Sequence, residues 1–233
     1  MRRARTGCIL VLLVAGSLLL SSCGTQFASE TSAEISADAI SAMVHSYSTT
    51  ATEAYEQNGH RVSIEVSMYR TGASDGTFEV GESKGDLVVA DQTVYFRGPA
   101  SFWLALSALG NSALPESYAL LLAHRWVGLV SSSEAEFSSL TYSGLLASIR
   151  AGAVRLAKTG TKTIDGTPAV AVGSRAEGTM WVSTRTPHHP VEIVRHTGSG
   201  AAESIRFLAW GEGSPPTVPL GAEPIDKILA SGG

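Results

Sequence analysis

Apolar residues change their spacing several times along the chain, and each spacing predicts a different element. Val62, Ile64, Val66 and Met68 alternate strictly with Ser63, Glu65 and Ser67. A period of two gives a strand one apolar and one wetted face, which predicts an antiparallel sheet with one side in solvent. After a turn at 71–76, Phe78 and Val80 alternate with Thr77 and Glu79, and shorter strands at 87–90 and 94–96 meet across Asp91-Gln92. Ahead of these strands, Ile35, Ala39, Ile40, Met43, Val44 and Tyr47 recur at steps of three and four, the stripe of a helix. Thr31 and Glu34 have capping-box spacing and open that helix. Asn58-Gly59 is its expected stop, since both residues tolerate the left-handed conformation of a helix terminus.

From Phe102 to Val130 the chain is apolar without a clean period, and Gly110, Pro115, His124 and Arg125 interrupt it. The interruptions leave no run of the roughly 20 apolar residues that a membrane-spanning helix needs. Short helices are expected at about 99–109 and 115–124, and a third at about 134–151 behind Ser131-Ser132-Ser133, carrying Phe137, Leu140, Leu145, Leu146 and Ile149. Helices apolar over so much of their circumference need cover on several sides, or a ligand. Strands return behind the Asp165-Gly166 turn, near 169–172, 178–183, 191–195 and 204–210. Pro187 and Pro190 hold His188-His189 in a loop, Gly198-Ser199-Gly200 marks a turn, and the tail from Pro215 is extended with a closing helical turn at 225–229. Eight strands with helices grouped at the start and middle define an α+β chain, a curved antiparallel sheet with helices on one face.

The first 22 residues follow a different logic. Arg2, Arg3 and Arg5 precede an apolar run over residues 8–20, the organisation of a secretory signal peptide. Leu20-Ser21-Ser22-Cys23-Gly24 then resembles the bacterial lipobox, in which small residues fit the peptidase site and the cysteine thiol becomes a thioether to diacylglycerol. Cleavage leaves Cys23 with a free amine for N-acylation, and two or three acyl chains anchor stably where one does not. The expected division is therefore a cleaved signal peptide (1–22), a lipidated Cys23 with a short flexible tether (23–32) and a single domain (33–233). The leader takes three arginines and no acid, so the remaining chain is more acidic by three charges than the formal -4 of all 233 residues. It also takes Cys8, so Cys23 has no disulfide partner. At 44% hydrophobic and 16% charged the chain is a folded one, and without a lysine or arginine cluster it argues against nucleic acid as a partner.

The same residues assemble no catalytic constellation. Gly72-Ala73-Ser74-Asp75-Gly76 spells a nucleophile elbow, but the elbow needs a strand-to-helix turn, and these residues join two strands. His188, His189 and His196 have no carboxylate or cysteine at ligand spacing, and His45, His60 and His124 stand singly. There is no phosphate-binding glycine loop and no carboxylate dyad. Trp103, Trp126, Trp181 and Trp210 are expected to pack the core and its rim. Neither a catalytic residue, a metal nor a cofactor is expected.

Several longer stretches follow in a fixed order: 94–103 (Val-Tyr-Phe-Arg-Gly-Pro-Ala-Ser-Phe-Trp), Arg125-Trp126-Val127, 160–169 (Gly-Thr-Lys-Thr-Ile-Asp-Gly-Thr-Pro-Ala), 178–183 (Gly-Thr-Met-Trp-Val-Ser) and 205–211 (Ile-Arg-Phe-Leu-Ala-Trp-Gly). With the lipobox in front, this order resembles the actinobacterial lipoproteins of the LppX/LprG type, in the LolA-like superfamily, over roughly residues 35–220. The resemblance implies an antiparallel half-barrel whose concave face is closed by helices around an apolar cavity. It also implies carriage of acylated lipids or lipoproteins between envelope layers. Only Cys23 matches a position of defined chemistry. The expected protein is thus a non-catalytic lipoprotein, held by its lipid anchor on the extracytoplasmic face of the cell membrane, that binds an acylated lipid or other apolar ligand. Alternation and helix face nominate Val62, Ile64, Val66, Phe102, Leu106, Leu121 and Leu146 as cavity lining. The competing expectation is a half-barrel packed solid that serves as a scaffold for envelope protein partners.

Overall fold

A computed structural model of the chain describes residues 27–110, 113–129, 140–152, 157–174, 178–196 and 202–231. The expected signal peptide, Cys23, Phe137 and the turn at Gly198-Ser199-Gly200 lie outside the described residues.

Helix α1 (Ser32–His45) opens as its sequence dictates. The Thr31 backbone N–H donates to Glu34 Oε2 at 2.8 Å, and the Glu34 N–H donates to Thr31 Oγ1 at 3.3 Å. The Thr31 bonds hold the Glu34 carboxyl below its ordinary range. The helix stops at His45, far short of Asn58-Gly59, which corrects the sequence expectation. From Ser46 the chain runs Ser-Tyr-Ser-Thr-Thr-Ala-Thr, side chains whose hydroxyls and β-branches disfavour continued helix. It continues as strand β1 (Ser48–Gln57), pairing antiparallel with β2 (His60–Tyr69). Asn58 and Gly59, with φ of 51° and 77°, form the two-residue turn between them. Tyr47, the last member of the expected helical stripe, falls beyond the helix and is exposed.

The chain continues through β3 (Ser74–Val80), β4 (Ser83–Ala90), β5 (Thr93–Arg97), α2 (Ala100–Leu109), α3 (Glu116–Leu122) and β6 (Val127–Leu129). Then come α4 (Tyr142–Gly152), β7 (Ala157–Ile164), β8 (Thr167–Ser174), β9 (Gly178–Ser183), β10 (Pro190–His196), β11 (Ala202–Trp210), β12 (Glu223–Pro224) and α5 (Ile225–Ser231). All twelve described strands belong to one open, curved sheet in the order β12-β6-β5-β4-β3-β2-β1-β11-β10-β9-β8-β7. Two meanders, β1 to β6 and β7 to β11, are joined side by side where β11 pairs with β1. Every pairing is antiparallel except that of β12 with β6. Twelve strands replace the eight expected from sequence, because β1, β6, β7 and β12 carry no readable alternation. Strand β7 is exposed from Ala157 to Thr163, β6 has three residues and β12 has two. Of the third expected helix, residues 142–151 are helical and 134–139 lie outside the described residues.

The α+β class and the placement of helices on the concave face stand. Val62, Ile64, Val66 and Met68 of β2 are buried beside Phe78 and Val80 of β3, in one apolar cluster with residues of all five described helices. Each fully buried side chain of this size contributes on the order of 1.5–3 kcal/mol to folding. The helical cover has two parts. Helix α2 packs on β3 and β4 with α3 beside it, while α1 packs on β8 and β9 with α4 beside it. Between these covers run the central strands β2, β1, β11 and β10.

Candidate functional site

Strand alternation and three helices, α2, α3 and α4, bring the nominated lining residues into one cluster. Val62, Ile64, Val66 and Phe102 lie in the buried core, and Leu106, Leu121 and Leu146 pack against it half-buried. Over β3–β5 this face is filled by aromatic rings. Phe78 meets Phe96 at 5.7 Å between centroids, Phe96 meets Phe102 at 5.9 Å, and Phe102 meets Trp103 at 5.6 Å. The Phe102 ring lies on the bare backbone of Gly85 and Gly98, where an added Cβ would come within 2.7 Å and 2.6 Å of it. Beside it the indole of Trp103 is 3% exposed, and its Nε1–H has no hydrogen-bond partner among the described residues. A sealed donor of this kind costs roughly 1–3 kcal/mol unless an acceptor reaches it.

The central strands end differently. Directly paired residues of antiparallel strands share a face. Glu53 of β1 pairs with Ile64 on one side and Ile205 on the other, and Tyr55 pairs with Val62. Ile64, Ile205 and Val62 belong to the concave core, so Glu53 and Tyr55 stand on the concave face as well. Ile193 pairs with Ile205 and Arg195 with Glu203, two residues further along the same face. Arg195 confirms this by donating to Ser148 Oγ of α4 at 2.8 Å. Burial raises the Glu53 carboxyl, against the attraction of Arg195 and with the repulsion of Glu203. Burial, then Glu53 and Glu203, raise the Tyr55 phenol. At the same end of β1, Gln57 and Asn58 donate to the Leu109 carbonyl that terminates α2. The apolar floor therefore runs out into a mixed-charge patch between α2 and α4. The sequence reading misses it because it continues the first helix through β1, and in a helix Glu53 and Tyr55, two positions apart, share no face.

The histidine loop is engaged in packing. His188 stacks on Phe27 at 3.7 Å, and His189 stacks on Trp210 at 4.5 Å. Phe27 is buried, and Lys158 donates to the carbonyls of Ala28 and Glu30, so the chain is seated on the body five residues before α1 begins. His189 Nε2 lies 2.7 Å from Ser46 Oγ, a serine–histidine pair that the sequence did not reveal. Ser46 Oγ also donates to the Ala42 carbonyl at the end of α1, so it caps a helix instead of facing a substrate. Burial lowers the His189 pKa, with the Ala42 carbonyl acting in the opposite direction. Ser74, the serine of the elbow-like pentapeptide, is fully buried and donates to the Leu140 carbonyl at 2.6 Å. Among the described residues no group of three or more histidine, cysteine, aspartate or glutamate side chains is arranged to hold a metal ion. The remaining tryptophans serve the rim: Arg97 lies 4.7 Å over Trp126, and Lys162 lies 4.2 Å over Trp181.

No family model matches this chain, and no curated protein does. Solved structures do match. The crystal structure of the lipoprotein LppX of Mycobacterium tuberculosis superposes with a TM-score of 0.53 at 17% identity, over 78% of this chain and 96% of LppX. That of LprF from Mycobacterium bovis gives 0.53 at 17% identity, over 82% of this chain and 97% of LprF. The fold is of the LppX type that the sequence resembles. Among the described residues no helix is long and apolar enough to cross a membrane.

Proposed function

We propose that this protein is an extracytoplasmic lipoprotein, anchored to the cell membrane through S-diacylglycerol and N-acyl chains on Cys23, that binds an acylated lipid or similar apolar molecule between sheet and helices without catalysing a reaction. The observation that carries the reading is the divided helical cover: α2 with α3 and α1 with α4 sit on separate strands, and an apolar floor from β2 to β10 runs between them. Separately seated helices can part over that floor without unfolding either half of the sheet. The sealed Trp103 N–H supports the same reading, since an ester or amide carbonyl of an acyl chain would supply its missing acceptor. Val62, Ile64, Val66, Phe102, Leu106, Leu121 and Leu146 are the proposed lining. The aromatic filling over β3–β5 favours a second reading, a packed half-barrel that acts through envelope protein partners.

Native mass spectrometry with lipid extraction, on protein purified from its host without detergent, separates the two. The carrier predicts one co-purifying lipid per chain, and a clean unliganded mass that persists after incubation with acylated lipids refutes it. For the anchor, Cys23→Ala is expected to release the protein from the membrane fraction; retention there refutes the lipobox argument.

A further inference from the structure

We propose that residues 27–30 form a fixed seat for the chain leaving the lipid anchor, and that this seat holds the end of the half-barrel carrying the β9–β10 loop against the lipid surface. This rests on the Cys23 anchor proposed above and adds to it how the domain stands on the membrane.

The seat is built from three elements. Phe27 is 3% exposed and belongs to the apolar core, and its ring lies parallel to that of His188 at 3.7 Å. His188 is held in turn by its Nδ1, which lies 3.0 Å from the Ser183 carbonyl at the end of β9. The Glu30 N–H donates to the Phe27 carbonyl at 3.1 Å, and Lys158 of β7 donates to the carbonyls of Ala28 and Glu30. Cys23 stands four residues before Phe27, so its thioether lies within about 14 Å of the seat. Counted from Thr31, where α1 is capped, the reach would be about twice as long.

The half-barrel is taller than the shorter leash. Strand β1 has ten residues and spans about 30 Å. Its start shares an end with the seat: Ser46 Oγ meets His189 next to His188, and Trp210, paired with Thr49, donates to the Pro190 carbonyl. The Asn58-Gly59 turn lies at the opposite end. An anchor with about 14 Å of reach cannot serve a domain standing on that far turn. The near end also suits a headgroup layer. Tyr47 is 42% exposed there, its carbonyl accepts from the Arg70 N–H, and Arg70, Arg185 and Glu212 are exposed, so an aromatic ring and both signs of charge meet a zwitterionic surface.

The test uses the full-length protein as its host processes it, reconstituted in phosphatidylcholine vesicles whose headgroups carry a nitroxide quencher. T71C in the turn before β3 and E82C in the turn after it each place one fluorophore, at the near and far ends respectively. The label at 71 is expected to be quenched several-fold more than the label at 82. Inserting eight Gly/Ser residues between Gly24 and Thr25 adds about 28 Å of reach without altering the seat, and is expected to bring the two labels to equal quenching. F27A, checked for its folded circular dichroism signal, is expected to narrow the difference in the same direction. Equal quenching of the two labels in the parent chain overturns the seated orientation and leaves the anchor standing. A difference that survives either change overturns it too, because something other than the seated leash then sets the orientation. Protein that does not float with the vesicles overturns the anchor reading and this inference together.

Discussion

The contact between Phe102 and Gly85 makes a quantitative prediction about how the concave face is packed. Phe102 is fully buried, and its ring covers Gly85 so closely that a Cβ there would lie 2.7 Å from Cζ and 2.8 Å from both Cε atoms. Gly85 has no left-handed φ, so alanine fits its backbone and the conflict is steric alone. Gly85→Ala therefore forces a buried ring to move, an overpacking cost of about 1–3 kcal/mol. Phe102→Ala opens a cavity at a cost of about 3–5 kcal/mol. In the double variant the new methyl enters the space the ring has left, so Gly85→Ala becomes neutral or stabilising there. Equilibrium urea unfolding of the four proteins, followed by far-ultraviolet circular dichroism, should show the double variant more stable than additivity by about 1–3 kcal/mol. Additivity within about 0.5 kcal/mol would refute the reasoning, as would a neutral Gly85→Ala in the parent chain.

Other outcomes follow from local geometry. Thr31→Ala removes the capping box of α1 and should cost about 1 kcal/mol in a urea or thermal melt. Gly59→Ala, at φ of 77° in the β1–β2 turn, should cost about 1–2 kcal/mol, whereas an alanine replacing a glycine in extended backbone carries no such strain. The His189 pKa is lowered from 6.5, so its contribution is complete above 6.5 and is lost as pH falls toward the lower folded value. His189→Phe, which keeps the stack on Trp210, should flatten the stability profile in that window. Burial pushes the Glu192 carboxyl up, but Lys162 at 2.7 Å, Ser204 at 3.0 Å and Arg206 at 3.6 Å reverse the effect and leave it below 4.5. Its contribution is thus complete above 4.5 and drains as pH falls through the folded value; Lys162→Met should shrink that acid-side loss.

Residues that do one job are readable from sequence, and residues whose job depends on a distant strand are not. Val62 to Met68 alternate because one face is core and the other water, and that pattern needs no partner to be seen. The Thr31–Glu34 capping box is likewise local. Asn58-Gly59 is ambiguous by nature, because a left-handed pair ends a helix as readily as it closes a hairpin. The deciding information lay in pairing of β1 with β11, some 150 residues away. Strand β1 is polar on both faces, Thr50 and Thr52 outward and Glu53 inward, so hydropathy has no period there. This is why the seven apolar candidates were legible as buried or half-buried positions and the patch of Glu53, Tyr55, Arg195 and Glu203 was not.

An open sheet of twelve strands has two margins, and at a bare margin a second copy of the chain adds its own strand. One margin is β7, exposed along seven of its eight residues, with lysines at 158 and 162 and a break in register between Lys158 and Gly160. A docking strand would bring its own backbone against those charges and find the ladder out of step. At the other margin β6 receives only the two residues of β12, after which α5 turns over the end of the sheet. The half-barrel is thereby finished at both ends, and neighbouring chains can lie side by side without their sheets fusing.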